Sequence, residues 1–255
     1  PGVDGVKGKE LTETEWRTML DEVVEAVRAG SFQPMPARRV CIPKANGGLR
    51  PLGIPTIRDR VVQMMLKMLL EPIFESDFLD CSVGFRPDRR TMDAIAVCYR
   101  LINPRNGYFY VIEGDIRSCF DKVNHDILLK LIARRIDDPK ILNLIGRFLK
   151  ANIMEGQVYR RSTEGTPQGG ILSPLLANIY LHELDKWWHE HYGSIERHAK
   201  ERRRKQGLSN CIYVRYADDW IALCNGTKSQ AEAIKEEIRT FLRDTLKLEL
   251  SEEKT

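Results

Sequence analysis

Two short apolar runs, Cys211-Ile212-Tyr213-Val214-Arg215 and Trp220-Ile221-Ala222-Leu223-Cys224, are separated only by Tyr216-Ala217-Asp218-Asp219. The runs are β-prone and an Asp pair is turn-prone, so this stretch predicts a β-hairpin with two adjacent carboxylates at its tip. Such a tip is able to hold metal ions. An isolated Asp-Asp turn is more often a local backbone hydrogen-bonding device, so any chemistry here requires partners elsewhere in the chain.

One partner lies about a hundred residues upstream, where Tyr108-Phe109-Tyr110-Val111-Ile112-Glu113-Gly114 reads as a buried strand that delivers Asp115 at its C-terminal end. An unpaired buried carboxylate is costly, which argues for a cation nearby. Oxygen ligands from Asp115 and Asp218 suit Mg²⁺, a hard ion that takes one or two protein carboxylates and fills its shell with water and phosphate. The alternatives for Asp115 are an N-cap or an ion pair with Arg117 or Arg215. A second partner is Thr166-Pro167-Gln168-Gly169-Gly170-Ile171-Leu172-Ser173-Pro174, a glycine-rich loop leading into a helix with Ser173 as N-cap and Pro174 at the first helical position. Adjacent glycines let the backbone approach a flat or phosphorylated ligand, and the Gln168 amide offers both a donor and an acceptor. Alone, a Gly-Gly pair is also what an ordinary loop contains.

In that order, the strand ending in Asp115, the Pro-Gln-Gly-Gly loop and the Tyr-Ala-Asp-Asp hairpin resemble the palm motifs of reverse transcriptases. Ile42-Pro43-Lys44, Arg50-Pro51-Leu52-Gly53-Ile54-Pro55, Gly84-Phe85-Arg86-Pro87 and the stretch from Gly165 to Leu181 are similar to the group II intron-encoded reverse transcriptases, or maturases. The resemblance runs from Pro1-Gly2-Val3-Asp4-Gly5, similar to that family's N-terminal extension, to Lys254. It implies an α+β right-hand polymerase: an antiparallel palm sheet backed by helices, fingers from 1–88 and 123–165 with an N-terminal extension over 1–30, and palm from 89–122 and 166–255. The family's thumb is absent, so the chain is expected to be part of a longer protein, weak or inactive as an isolated piece.

The chemistry implied is in-line attack of a primer 3′ hydroxyl on an α-phosphate, with two Mg²⁺ ions roughly 4 Å apart stabilising attacking and leaving oxygens. Asp115, Ile116 and Asp218 are the expected metal-holding positions, and Asp115, Asp218 and Asp219 the catalytic set, with Asp219 a supporting carboxylate. No residue identifies itself as a general base. Phe120 stands five positions after the first metal Asp, where the resemblance implies an aromatic that excludes a 2′ hydroxyl and selects dNTPs; its other reading is a core phenylalanine. Lys44 and Arg50 flank an Asn46-Gly47 turn signal, and an ammonium and a forked guanidinium there suit β- and γ-phosphates. A basic edge strand that discourages aggregation is the rival for Lys44. Gln168 and Gly169 complete the expected dNTP contacts.

Forty basic against thirty-six acidic residues leave a net charge of only +4, so nucleic-acid binding has to come from patches. Residues 31–60 hold Arg38, Arg39, Lys44, Arg50, Arg58 and Arg60 against Asp59, and residues 197–205 hold six basic side chains against Glu201. Arg38, Arg39, Arg58, Arg202, Arg203, Arg204 and Lys205 are the expected RNA contacts, with a solvated face, or for Arg202–Lys205 a mobile insertion, as the alternative. The expected partners are a group II intron RNA, an RNA template with DNA primer, and dNTPs; the pattern selects no oligomeric state, though a dimer is compatible with it. Six cysteines without a Cys-x-x-Cys pair argue for a reducing compartment and against zinc. Lys67 and Glu71 interrupt the most apolar stretch, no secretory signal is present, and no membrane contact is expected; the expected setting is the cytoplasm of a bacterium or an organelle interior.

The helices read plainly. Thr12 and Glu15 form a capping box before an amphipathic face, Ser229 and Glu232 repeat the device, Arg58 to Phe78 is apolar on most sides and so expected to be buried, with Pro72 bending or ending a turn, and 128–136 and 141–149 form a helical pair. His182, His189 and His191 have no ligand spacing. Two rivals stand beside the reverse transcriptase reading. An RNA-dependent RNA polymerase shares the two-metal palm, and a non-catalytic maturase scaffold would bind intron RNA without polymerising.

Overall fold

The computed structural model describes every residue except 44–46, 104, 106, 152, 156–157, 161–164, 166–168, 194–196 and 252–255. The chain forms two compact, interleaved units: Pro1–Phe74 with Phe120–Leu176, and Glu75–Cys119 with Ala177–Thr255.

In the first unit, helix α1 (Glu13–Arg28) begins at the expected capping box, with Thr12 and Glu15 bonding each other's backbone N–H groups. Strands β1 (Ala37–Pro43) and β2 (Leu49–Ile54) form the expected antiparallel hairpin. Strand β1 also pairs in parallel with β4 (Ile153–Glu155), which turns back into β5 (Val158–Arg160), so this sheet is mixed, in the order β2-β1-β4-β5. No alternating apolar pattern announces the short β4 and β5, and the sequence reading did not foresee them. Helix α4 (Cys119–Lys122), helix α5 (His125–Ala133) and helix α6 (Pro139–Leu149) follow, α6 capped by Asp138 with Pro139 in its first turn. Phe32, Leu66, Leu70, Leu128, Ile132, Ile145 and Leu149 fill the core. The Arg147 guanidinium closes one end by donating to the carbonyls of Gly30 and Phe32.

Helix α2 (Ile57–Glu75) corrects one expectation. Val62, Leu66 and Leu70 are buried, but Met64, Met65, Met68 and Leu69 stand 42–70% exposed, so only one face is sunk in the core. Met65, Met68 and Leu69 line a groove of about 490 Å³ with Val27, Phe32, Ile141 and Leu144. Pro72 lies inside the helix, which continues to Glu75.

The second unit is built on a three-stranded antiparallel sheet in the order β3-β7-β6, from β3 (Tyr110–Asp115), β6 (Cys211–Tyr216) and β7 (Asp219–Cys224). Ile112 and Gly114 are buried while Val111 and Glu113 are exposed, so β3 is buried on one face rather than throughout. The outer edge of β6 is occupied by residues 81–83, where Val83 N–H donates to the Arg215 carbonyl and Arg215 N–H to that of Cys81. The end of β3 meets residues 249–251 through Arg117 N–H to Glu249 O and Ser251 N–H to Asp115 O. Helices α3 (Thr91–Ile102), α7 (Ser173–Trp188), α8 (Arg197–Lys205) and α9 (Lys228–Thr245) complete the elements.

Several expectations change here. Thr227 and Gln230 form the capping box of α9, not Ser229 and Glu232, because the helix starts two residues earlier than the apolar pattern suggests. Helix α7 opens on Ser173 itself, and its first backbone bond runs from Leu176 N–H to Leu172 O, so Ser173 is not the cap. Residues 75–88 group with the second unit, where Arg86 pairs with Glu75 and Ser82 bridges to Arg215. Cys211 and Cys224, directly opposed across β6 and β7, are joined by a disulfide, which runs against the expected reduced thiols.

Candidate active site

The predicted hairpin forms, with its turn one residue earlier than the Asp pair, so that Asp219 begins β7. Tyr216 and Asp219 close a two-residue turn, Ala217-Asp218, and Asp219 in turn pairs with Asp115 at the end of β3. Directly paired residues on antiparallel strands share a sheet face, with Cβ atoms about 5 Å apart. Asp115 and Asp219 therefore stand in one cross-strand row, with Asp218 the next residue along the turn. Asp115 and Asp218 are half-buried and Asp219 is exposed. The strand thus ends on Asp115, and the Arg215 charge is engaged by Asp185.

Ala217 has φ +59°. A positive φ at the first turn residue alone is the pattern of a II′ turn, where glycine is usual and alanine carries a strain of about 1–2 kcal/mol. Phe85, Asp88, Ser118 and Lys247 also take positive φ. Phe85 and Tyr216, both solvent-exposed, place their rings 6.4 Å apart beside the turn.

Under the turn lies a buried polar network. The fully buried Arg215 guanidinium donates Nε to Asp185 Oδ1 at 2.8 Å and Nη2 to Asp185 Oδ2 at 2.6 Å. Its remaining N–H groups reach Ser82 Oγ at 2.7 Å, Asn178 Oδ1 at 3.0 Å and the carbonyl of Ala217 at 2.8 Å. Burial alone would raise the Asp185 carboxyl, but the Arg215 charge and hydrogen bonds hold it below the ordinary carboxylate value. The same low-dielectric surroundings push the Cys81 thiol up to about 12.

In the first unit, three expected nucleotide-contact segments meet. Gly169, at φ +107°, lies so close to the Gly53 carbonyl of β2 that a Cβ would sit 2.7 Å from it, which restricts this loop position to glycine. Gly165 N–H donates to the Val123 carbonyl, and His125 Nε2 bonds the Gly165 carbonyl at 2.7 Å, which fastens the loop beside Phe120 and Asp121. Phe120 is 8% exposed. Loss of water around the Asp121 carboxyl raises its pKa against the pull of the Arg39 and Lys122 charges, so β1 reaches the same neighbourhood. Lys44, Gln168 and the Arg50 side chain lie outside the described residues.

The sequence pattern of the family described as "Reverse transcriptase (RNA-dependent DNA polymerase)" matches residues 42–255. The chain belongs to the reverse transcriptase family. It is 42% identical over 272 residues to Protein YkfC of Escherichia coli (strain K12), covering 100% of this chain and 71% of that protein. It is 37% identical over 282 residues to the Group II intron-encoded protein LtrA of Lactococcus lactis subsp. cremoris, covering 92% of this chain and 47% of that one. The chain thus spans less than half of its intron-encoded relative. The apo telomerase of Candida tropicalis shares the fold, with a TM-score of 0.61 and 14% identity over 95% of this chain and 49% of that one. Within the family this is a reverse transcriptase domain of the group II intron-encoded and maturase kind, as the motif resemblance implied.

The carboxylate oxygens of this reverse transcriptase domain are hard donors and suit Mg²⁺. Among the described residues no group of three or more His, Cys, Asp or Glu side chains is placed to hold a metal ion. Ile116 is 1% exposed and apolar, so its carbonyl is all it offers a cation. Of the expected RNA contacts, Arg38 donates to the Pro1 carbonyl and the Arg58 guanidinium lies 4.8 Å over the Phe32 ring. Residues 197–205 form α8 rather than a mobile insertion: Arg203 donates to the Ser209 carbonyl and Asn210 to that of Lys200, while Arg202, Arg204 and Lys205 are exposed. No described helix is long and apolar enough to cross a membrane. The Arg215 network escaped the sequence reading. Its signal was present, since Arg215 shares strand parity with the inward Cys211 and Tyr213.

Proposed function

We propose that this chain is the RNA-directed DNA polymerase portion of a group II intron-encoded protein, adding dNTPs to a DNA primer on an RNA template. The observation that carries this reading is the cross-strand row of Asp115 and Asp219 beside Asp218 in a strained turn. The first unit takes the fingers role and the second the palm. Asp115, Ile116 through its carbonyl, and Asp218 would hold Mg²⁺, which when bound lowers the barrier to attack by the 3′ hydroxyl and stabilises the leaving oxygen. Asp219 supports them. The protein's own residues bind and orient: Lys44 and Arg50 take the triphosphate, Gln168 and Gly169 line the incoming nucleotide, and Phe120 excludes the 2′ hydroxyl. Arg38, Arg39, Arg58 and the α8 side chains Arg202, Arg203, Arg204 and Lys205 hold RNA phosphate, including the intron RNA whose splicing and mobility the protein serves. Action on intron RNA places the protein in a bacterial cytoplasm or organelle interior.

The test is extension of a DNA primer on an RNA template by the full-length protein with Mg²⁺ and dNTPs. Template-dependent DNA synthesis is the expected result; intron-RNA binding with no synthesis replaces this reading with that of a non-catalytic scaffold. The same assay checks Phe120. Phe120→Val raises ribonucleotide use relative to deoxynucleotide by about tenfold or more, the scale on which one steric contact discriminates substrates. Unchanged rejection of ribonucleotides assigns Phe120 to the core alone.

A further inference from the structure

We propose that Arg215, with Asp185 and Asn178, is the positioning device that holds the Ala217-Asp218 turn in its left-handed conformation and so aims the Asp218 carboxylate; this rests on the catalytic reading of Asp218.

All five N–H donors of the guanidinium are used, two on Asp185, one on Ser82, one on Asn178 and one on the Ala217 carbonyl. Lysine has neither the number nor the fixed directions of these donors. A buried ion pair is a poor way to gain stability alone, since apolar residues of similar volume often serve as well or better. Here one arm of the fork ends on the backbone of the residue that precedes Asp218.

The turn is gripped from its other side too. Asn178 Oδ1 accepts from Arg215 while its Nδ2 donates to the Gly84 carbonyl at 2.8 Å. Gly84 packs directly on the backbone of Tyr216 and Ala217, with no space for a Cβ. Asn178 thus joins the two halves of the clamp, one on the Ala217 carbonyl and one on its amide. The two-residue hairpin closure asks for a positive φ that alanine resists, and without the clamp Ala217 relaxes away from it. Asp218 turns with it.

The full-length protein carrying Asn178→Leu is compared with wild type, with Asn178→Leu/Ala217→Gly, and with Asp218→Asn. Mn²⁺ affinity is read by water-proton relaxation, single-turnover extension by rapid quench. Asn178→Leu loses about tenfold or more in rate, and its Mn²⁺ dissociation constant rises severalfold, because small misplacements of catalytic groups have such effects. Its KM for dNTP stays within about twofold. Glycine at 217 needs no clamp to hold a positive φ, so the double variant recovers about fivefold of the lost rate and of the Mn²⁺ affinity. A folded Asn178→Leu with wild-type rate and Mn²⁺ affinity overturns the proposal, as does a loss that Ala217→Gly does not relieve. If Asn178→Leu fails to fold, Ser82→Ala removes one acceptor from the same guanidinium and is expected to weaken Mn²⁺ binding about threefold; unchanged binding there overturns it equally. Retained extension by Asp218→Asn instead removes the catalytic reading itself, whatever the clamp variants do.

Discussion

Asp218→Asn in the full-length protein lowers primer extension on an RNA template by roughly a thousandfold or more, while its affinity for RNA is unchanged. The amide keeps the size of the carboxylate and loses the charge that a divalent ion requires, and losing one preorganised electrostatic contact at a reacting centre has effects of this order. Asp218 is half-buried in a two-residue turn and the amide matches its size, so the variant keeps its fold. Asp115→Asn behaves the same way. Asp219→Asn discriminates between two arrangements of the site, because strand register puts Asp219 directly opposite Asp115. A loss as deep as that of Asp218→Asn makes Asp219 a full ligand, and a loss of about tenfold keeps it in a supporting role. Parallel titrations of rate against dNTP and filter binding of RNA separate these effects. Full extension by Asp218→Asn removes the hairpin from the chemistry.

Asp185→Ala destabilises the second unit by about 3–5 kcal/mol, because it leaves the Arg215 guanidinium buried and without its counter-charge. Both side chains are fully buried. Because the folded Asp185 carboxyl titrates below its ordinary value, its stabilising contribution is complete above that value and disappears as pH falls through the folded one. The wild-type protein therefore loses stability from about pH 4 downward partly through this group, and Asp185→Ala, already without it, has a flatter acid limb. Urea melts at pH 7 and pH 3, followed by tryptophan fluorescence, measure both effects; Trp188 and Trp220 are buried beside the network in the same unit. Equal urea midpoints for the two proteins at pH 7 would mean that Arg215 finds its charge balance elsewhere.

The carboxylate hairpin was legible because three local signals agree: β-prone flanks, a turn-prone pair, and two residues left over for the loop. Asp115 was legible because an acid at the end of an apolar strand asks for a partner. The strand itself was read as buried throughout, since Val111 differs from a core valine only in what lies over it, and the palm sheet leaves that face open. The Met64, Met65, Met68 and Leu69 face of α2 misled for the same reason. Composition gives the hydrophobicity of a face, and only tertiary packing decides whether something covers it. The capping box of α9 was misplaced by two residues because Thr227 with Gln230 and Ser229 with Glu232 match the same pattern. The parallel β1–β4 pair and the partners of the Arg215 fork were illegible for one physical cause. Each depends on register between segments distant in the chain, and no local pattern carries that information.

The sheet order β3-β7-β6 also has a consequence in time. A ribosome adding about 5–20 residues per second releases β3 roughly 5–20 s before its neighbour β7 exists. Through that interval Tyr110–Asp115 is an edge without a mate, with Val111 and Phe109 among its uncovered side chains. The interleaving of the two units means that residues 120–176 emerge first and can complete the other unit, while Glu75–Cys119 waits. The hairpin of β6 and β7 closes locally and quickly once made, and only then captures β3. Asp115 and Asp218 therefore come together only after residue 224 has been made, so a nascent chain stalled before residue 211 leaves Asp115 without the hairpin carboxylates and the β3 edge uncovered.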